Sequence, residues 1–321
     1  MTRKKSVVWP ILLLLIFNQY TYSQTCCSGG VPLSANLGLP ASEKGSWQFS
    51  LSYDYNQLKT LKSGNVELED GLRERVTQSI LFETGYTFTK RFSLDLLLTY
   101  VRQERHIFSP LGTNSTITNG VGDGVLLFMY NILPEHPKTT ALVGIGPKIP
   151  LGATDEISES GITLPADLQP GSGAWDAVLW GTISQSLGFR PSLSVSATST
   201  YRATGVNPDY LGSIEYEFGN DLQIIAGFAD RIVIGESIWD PSIFFRYRNA
   251  KRDINNGVEI DATGGEWVFL MPGLKYSFSP DISISGTLEI PLYSFVNNTQ
   301  LTPTNRFTVG VYYKLYKKLK L

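Results

Sequence analysis

Charged side chains occur at alternate positions of segments whose other positions are apolar. Asp95 and Glu289 are examples, since each is flanked on both sides by leucine or isoleucine. In an extended chain successive side chains point to opposite faces, so these charges share the face that the apolar residues leave. Charges on an enclosed face are normally paired, so the pattern predicts either an ion-pair network that braces a wall or a polar path for a solute. The charged residues on this face are Asp54, Glu83, Asp95, Asp123, Lys148, Asp176, Arg231, Arg246, Arg248, Lys275 and Glu289.

Three aromatic residues, Trp180, Tyr312 and Tyr316, fall on the same parity as the charges. Mixed with the serines and threonines of this face, they could offer a solute weak, successive contacts, as a conduit requires. They could equally be packing that fills an interior.

Catalysis has little support in the sequence. The chain has two histidines: His136 lies in a predicted turn, and His106 lies at the end of a predicted strand, on its apolar parity. Nucleophilic catalysis needs a serine or cysteine beside a base that a third polar group orients, and nothing in the sequence near His106 indicates such a nucleophile. We therefore expect neither an enzyme nor a cofactor.

The only cysteines, Cys26 and Cys27, are adjacent. No disulfide framework can be built from them, and no metal-ligand spacing surrounds them, so we predict no metal centre. The pair remains a weak candidate for a soft metal, for lipidation of Cys26 or for contact with a periplasmic partner.

The elements that carry the charged face are long strands. In the C-terminal segment, Phe307, Val309, Val311, Tyr313 and Leu315 alternate with polar or small residues, which indicates a strand with one apolar and one wet face. About twelve such segments follow one another and are joined by alternating short and long connections. We predict loops at Lys59–Arg73, Ile107–Gly120, Gly152–Gly173, Ala203–Glu217, Asp253–Thr263 and Phe295–Thr304.

These strands are long enough to cross a bilayer when tilted, and aromatic residues lie near the ends of their apolar faces. The fold class we predict is an all-β, transmembrane, antiparallel up-and-down β-barrel of about 12 strands. The rival is a soluble periplasmic β-sandwich or propeller. An even strand number, with both ends on one side and short turns on that side, is typical of the bacterial outer membrane.

The N-terminus has the layout of a secretory signal peptide, with Arg3, Lys4 and Lys5 before a short apolar run. We predict cleavage near Ser23–Gln24, which gives a signal peptide at 1–24, a periplasmic leader with the cysteine pair at 25–45 and the barrel at 46–321. The mature chain is then acidic, without the basic patch that nucleic acid requires, so we expect a lipid bilayer and a small solute as partners.

Several segments resemble the outer-membrane family named for the MetA pathway of phenol degradation. The similar segments are Gly120-Val121-Gly122-Asp123, Leu164–Asp176 with its Gln169-Pro170-Gly171-Ser172-Gly173 run, Tyr216–Gln223, Glu289–Tyr293 and Gln300-Leu301. The leader with Cys26 and Cys27 is not part of that pattern. The resemblance implies a channel-like barrel that helps hydrophobic or aromatic compounds to cross.

We therefore expect an outer-membrane channel-like protein for passive passage of small hydrophobic or aromatic compounds. The alternative is a closed structural or binding barrel that presents its loops, or the cysteine-containing leader, to a partner. The state of the lumen separates the two.

Overall fold

The computed structural model describes residues 37–110 and 112–316. The predicted signal peptide and the Cys26–Cys27 pair lie outside this part of the chain. No helix in the described part is long and apolar enough to span a membrane. The first strands are β1 Trp47–Gly64, β2 Val66–Leu68, β3 Arg73–Thr87, β4 Phe92–Ser109, β5 Gly112–Val121, β6 Gly124–Asn131, β7 Thr139–Ile149, β8 Asp176–Leu187 and β9 Arg190–Ala203. The others are β10 Val206–Tyr210, β11 Ile214–Glu217, β12 Asp221–Asp230, β13 Ile232–Ile234, β14 Ser237–Ala250, β15 Ile254–Asn255, β16 Val258–Glu259, β17 Gly265–Ser277 and β18 Ile282–Leu315.

The main sheet closes on itself. Its order is β12, β9, β8, β7, β6, β4, β3, β1, β18, β17, β14, and β14 pairs again with β12. Every pairing in this ring is antiparallel, and such a ring closes only with an even number of passes. The 34-residue β18 supplies two of them: residues 283–296 pair with β17 and residues 299–315 pair with β1. The chain reverses between these parts, where Asn298 has φ 56°. The wall therefore has twelve passes, which confirms the predicted barrel.

The outer surface of the wall is apolar. Leu51, Phe128 and Ile145 are each more than half exposed. The residues before and after each of them face the inside of the barrel. Exposed aromatic rings collect at the end with the short turns, where Phe92 contacts Tyr130 and Tyr276 contacts Phe278. A closed barrel with an apolar belt and an aromatic girdle satisfies its backbone hydrogen bonds internally and meets lipid on its outside. It is an outer-membrane barrel, and its short turns take the periplasmic end.

Much of the chain that we predicted as loops is strand. Residues 107–120 are mostly the paired ends of β4 and β5, which meet at Ser109 and Gly112. Residues 59–64 continue β1, and residues 299–304 continue the second pass of β18 against it. Beyond the bilayer both faces of a strand meet water, so the apolar alternation stops although the hydrogen-bond ladder continues. The predicted loop at Gly152–Gly173 contains none of the named strands; it has a 3₁₀ turn at Ala166–Leu168 and an isolated bridge between Ile157 and Thr163.

A second, four-stranded sheet lies at the extracellular end, in the order β10, β11, β15, β16. It occupies parts of the predicted loops at Ala203–Glu217 and Asp253–Thr263. Its core consists of Tyr210, Tyr216 and Phe218, which pack with Ala166 of the long loop. The sheet and the long loop therefore form one packed unit over the outer mouth of the barrel.

Candidate functional site: the barrel lumen

A belt of paired charges runs along the inside of most of the wall, from the start of β6 to β1, and strands that are adjacent or one apart supply charges of opposite sign. β14 supplies two arginines, while β17 supplies only aromatic rings at this level. The members of this charge belt, in the order of the strands, are Asp123, Lys148, Asp176, Arg202, Asp221, Arg248, Arg246, Glu289, Arg306 and Asp54.

The belt begins at Lys148, whose side chain is fully buried. Its Nζ lies 2.8 Å from Asp123 Oδ2 and 3.0 Å from Asp176 Oδ2, and it also donates to Ser172 Oγ. Ser172 in turn donates from its backbone N to Asp123 Oδ2 over 3.1 Å. Asp123 and Ser172 belong to two of the segments that resemble the MetA-pathway family. The two segments therefore meet at one lysine, which ties the long loop to the wall.

The opposite side of the belt is built around Glu289. Arg246 Nη2 lies 2.5 Å from Glu289 Oε2, and Arg306 Nε lies 3.8 Å from Glu289 Oε1. Arg306 Nε also lies 2.9 Å from Asp54 Oδ2, to which Thr308 Oγ1 donates over 2.8 Å. Since all these groups are buried or nearly so, each charge depends on its partners for the solvation that water no longer provides.

Between these two clusters, aromatic rings support the arginines. Arg248 pairs with Asp221 at 2.6 Å and lies over the ring of Trp267, at 5.3 Å from its centroid. Arg246 lies over the ring of Phe269, at 4.4 Å. A guanidinium above an aromatic face is attracted by the ring quadrupole, most strongly where water is excluded. β17 thus supports the charge belt through aromatic rings that lie under the two arginines, and it contributes no charge to the belt.

The long loop folds into the lumen above the belt. Arg75 of β3, whose side chain is fully buried, pairs with Asp167 Oδ2 at 2.5 Å. Gln103 Nε2 donates to the carbonyl of Gln169 over 2.8 Å, and Thr118 Oγ1 donates to the carbonyl of Leu168 over 2.6 Å. The loop backbone is therefore satisfied by inward-facing side chains of the wall, and it occupies the extracellular half of the lumen.

The extracellular sheet holds the loop in place. Ala166 N donates to Tyr210 Oη over 3.0 Å. Below it, Asp253 accepts hydrogen bonds from Tyr216 Oη at 2.7 Å and Gly219 N at 2.8 Å. Burial raises the pKa of Asp253 to about 6 and also raises the pKa of Tyr216, because both groups lose hydration of their charged forms.

On one side, the wall of the lumen is apolar. A buried cluster on β3, β4, β6, β7 and β8 faces inward. Its members are Leu81, Leu97, Val125, Leu127, Met129, Leu142, Val178 and Trp180, and Leu37 of the leader packs among them. The leader thus enters the lumen from the periplasmic mouth, and its described residues Leu37 and Leu39 are buried there.

On the other side, in the periplasmic half, the wall is wet. Inward-facing Thr182, Ser184, Ser196 and Thr198 remain partly exposed to solvent, and the Thr182 and Thr198 hydroxyls lie 2.8 Å apart. Since the barrel is closed, this exposure means that a water-sized space lies beside these strands. The periplasmic half of the lumen is therefore lined on one side by a buried apolar cluster and on the other by small polar residues that are partly exposed.

Most residues nominated from the sequence lie inside the barrel. Asp54, Glu83, Asp95, Asp123, Lys148, Asp176, Arg246, Arg248 and Glu289 are buried or partly buried on the inward face, as is Trp180. Tyr312 also faces inward and donates to Gln48 Oε1 over 2.6 Å.

Three nominated residues lie at or beyond the periplasmic end of the lumen and not in its buried part. Arg231 is exposed between the end of β12 and the start of β13 and pairs with Asp240 at 2.8 Å. Lys275 pairs with the same carboxylate at 3.3 Å, close to the periplasmic rim. Tyr316 follows the last residue of β18, where it is exposed beneath Lys314 Nζ.

Sequence reasoning did not nominate Arg202, Asp221 or Arg306, although each has the inward parity of its strand. The alternation that singled out Asp54 could have found them. It could not have found Arg75 and Asp167, because their contact joins a strand to a loop 92 positions away.

Near His106, where the sequence indicates no nucleophile, the structure places a serine hydroxyl. Ser115 Oγ lies 2.9 Å from His106 Nδ1, across the pairing of β4 and β5. Glu104 Oε2 lies 3.5 Å from His106 Nε2, while Arg102 and Gln78 hold the other oxygen of Glu104. This row lies on the outer face, above the apolar belt. Within the described residues, no group of three or more His, Cys, Asp and Glu side chains could hold a metal ion.

The comparisons with known proteins agree with the fold. No protein-family model and no curated protein matches the sequence. Among solved structures, the chain is similar to the COG4313 outer membrane channel from Pseudomonas putida F1, with a TM-score of 0.67, 16% identity, and coverage of 87% of this chain and 97% of that one. Two weaker likenesses are to the β domain of the Bordetella autotransporter BrkA (TM-score 0.46, 11% identity, 85% and 100% covered) and to a Pseudomonas aeruginosa FadL homologue (0.42, 11%, 84% and 90%). At 16% identity the likeness to the COG4313 channel shows the fold alone, and that fold is the antiparallel barrel that the strand pairing describes.

Proposed function

We propose that the protein is an outer-membrane conduit for small hydrophobic or aromatic compounds, of the kind the MetA-pathway family resemblance implies. The observation that carries the proposal is the two-sided lining of the periplasmic half of the lumen, which is apolar around Leu97 and polar around Thr182 and Thr198. A solute with an apolar body could slide along the Leu97 cluster while its polar edge faces Thr182 and Thr198. Contacts of this kind are weak and numerous, which lets a conduit bind a solute and release it.

In the conformation described here, both ends of this path are occupied. The long loop and the extracellular sheet lie over the outer mouth, and Leu37–Leu39 lie in the inner one. Passage therefore requires the leader to leave and the loop to shift. The charge belt is not part of this movement, because its members pair across the strands that form the fixed wall.

The test is conductance of the purified protein in planar bilayers, together with solute uptake in cells. A matched pair of variants is the wild type and a chain whose residues 156–168 are replaced by a short Gly-Ser linker, which retains Ser172 and the contact with Lys148. We expect small, infrequent currents from the wild type and larger ones from the loop variant. If neither protein conducts and a deletion strain takes up the solute as well as the parent strain, the proposed conduit is wrong and the closed binding barrel remains.

A second candidate function is ester hydrolysis at the outer surface, and the row Ser115, His106 and Glu104 favours it. A serine hydroxyl within hydrogen-bond reach of a histidine that a carboxylate faces brings together the three groups of a serine hydrolase, here with Nδ1 towards the serine and Nε2 towards the carboxylate, the reverse of the usual triad. Its position above the apolar belt is where the acyl esters of outer-leaflet lipids lie. Release of fatty acid from mixed micelles, abolished by Ser115→Ala, would establish this activity; equal release by both proteins excludes it.

A further inference from the structure

The leader segment Leu37–Leu39 lies in a well-formed seat inside the lumen. Gly38 N donates to Glu83 Oε1 and Leu39 N donates to Asp95 Oδ2, each over 2.9 Å. The Leu37 side chain joins the apolar cluster that includes Leu97 and Leu127. The segment thus donates hydrogen bonds to the polar groups of the wall and packs against its apolar groups, as a bound ligand would.

The two carboxylates of the seat have no positive partner. Glu83 and Asp95 are 6% and 3% exposed, and they are diagonal neighbours on β3 and β4. Among the described residues, neither forms an ion pair with a lysine, arginine or histidine, and the leader supplies only neutral N–H donors. Two neighbouring buried carboxylates without a cation make a place that favours a positive charge.

Trp180 forms the opposite side of the seat. It is 6% exposed, and its indole Nε1 has no hydrogen-bond partner although it is buried. Gly38 lies against the face of its ring so closely that a Cβ at this position would be 2.6 Å from Cζ2. Gly38 also has φ +88°, a conformation that favours glycine. The aromatic face is therefore covered by a residue that offers it almost no side chain.

Gly85 completes the fit. A Cβ on Gly85 would lie 2.5 Å from Asp95 Oδ1 and 2.8 Å from Leu39 Cδ1. The missing side chain is what allows the carboxylate and the leader to share this space. Two glycines thus shape one site from opposite sides, one on the wall and one on the leader.

We propose that this seat is a binding site for an apolar molecule that carries a protonated amine, and that the leader occupies it when no such molecule is present. The ammonium group would donate to Glu83 and Asp95 where Gly38 and Leu39 donate, with the face of Trp180 beside it. The apolar body would replace Leu37 against Leu97 and Leu127, and Trp180 Nε1 could donate to an acceptor on it. The proposal rests on the proposed function, since it names the solute class that the conduit would hold at this point.

The test uses the full-length mature protein in lipid nanodiscs and calorimetric titration with 2-phenylethylamine, whose protonated form predominates at pH 7. The neutral 2-phenylethanol is the matched probe without charge. We expect the amine to bind at least about tenfold more tightly than the alcohol, which corresponds to the loss of one charge-assisted hydrogen bond. Equal affinity for the two probes would overturn the proposal.

Two variants separate the seat from the rest of the lumen. The isosteric double change Glu83→Gln and Asp95→Asn should weaken binding of the amine about tenfold or more and leave binding of the alcohol nearly unchanged. The shift in gel mobility on heating shows whether the variant barrel is folded. Gly38→Ala should instead strengthen amine binding, because it displaces the leader that competes for the site. Amine binding that is insensitive to both changes would contradict the assignment of the site.

The outcome is distinguishable from that of the proposed function. If the barrel conducts but does not prefer the amine, the proposed conduit stands and the proposed amine site is wrong. If the barrel binds the amine in the seat but never conducts, the amine site stands and the conduit is wrong.

Discussion

Two sets of carboxylates lie inside this barrel, and their surroundings differ. In the charge belt, Asp54, Asp123 and Glu289 each lie within 4 Å of a lysine or arginine of another strand of the wall. In the seat, Glu83 and Asp95 face only backbone N–H groups of the leader. Buried charges that are paired across fixed strands hold a wall in one shape. Buried carboxyl groups whose only partners lie on a removable segment can exchange those partners, so burial alone does not identify a site.

The largest effect is expected where the belt is broken. Glu289→Ala leaves the buried Arg246 without its partner and removes one of the two carboxylates that face Arg306, so we expect a loss of about 3–5 kcal/mol in the free energy of unfolding. Urea unfolding in lipid vesicles, followed by gel mobility, measures it.

The control for this change is Asp240→Ala. Asp240 is also shared by two cations, Arg231 and Lys275, but their side chains are 54% and 42% exposed. An exposed pair contributes only about 0–1 kcal/mol. If the two variants lost the same free energy of unfolding, the buried ion pairs of the belt would contribute no more to stability than an exposed ion pair at the rim.

The next effect concerns the seat. Gly38→Ala forces a side chain into the ring of Trp180 at a left-handed backbone position, where an L-residue costs about 1–2 kcal/mol. We expect the population of the seated leader to fall roughly tenfold and the channel to be open more often, while barrel stability stays the same because the leader is not part of the wall. Open probability in planar bilayers measures this effect.

Gly286→Ala on β18 is the matched glycine, since a Cβ there would meet nothing within 4 Å. It should leave the open probability unchanged. A Gly38→Ala protein that gates like the wild type would show that the leader does not occlude the path.

A third carboxylate sharpens the comparison at the outer mouth. Asp253 accepts from Tyr216 Oη and Gly219 N, and burial raises its pKa to about 6. An unfolded Asp titrates near 3.9, so the folded sheet binds the extra proton between these values. Its stabilising contribution is complete below about pH 4 and is lost as pH rises through 6.

Hydrogen exchange of the β11 and β15 amides measures this dependence. We expect protection to fall about tenfold between pH 4.5 and pH 7.5 in the wild type, less than the full pKa shift implies because Asp253 keeps partial exposure. Asp253→Asn should exchange at rates that, after correction for intrinsic chemistry, do not depend on pH. The same decline in both proteins would assign the pH effect to another group.

The sequence predicts the barrel because lipid imposes a strict rule on one face of every strand. Leu51, Val195 and Val311 lie on that face. The residues at the alternate positions were predicted to face inward, and nine of the charged ones lie in the lumen. The rule ends at the edge of the bilayer. β5 and the outer part of β1 are strands with polar residues on both faces, so their sequences look like loops.

The site was less accessible to sequence reasoning, because it depends on contacts that parity does not encode. Nothing local to Gly38 and Leu39 predicts that they lie in the lumen, since their hydrogen-bond partners are 45 and 56 positions away. Ser115 meets His106 only because the chain turns back between Ser109 and Gly112. Such pairings follow from where the chain reverses, and residue types fix those reversals only weakly.

The wall closes where the last pass of β18 pairs with β1, so the earliest and latest parts of the barrel to be synthesised form its seam. Until residues 299–315 emerge, β1 presents an unpaired edge along its whole length, and no inside exists for the leader to enter. A chain that lost these residues would keep nearly all of its lumen side chains and still be unable to enclose them. The end of the polypeptide therefore decides when its beginning becomes an interior segment.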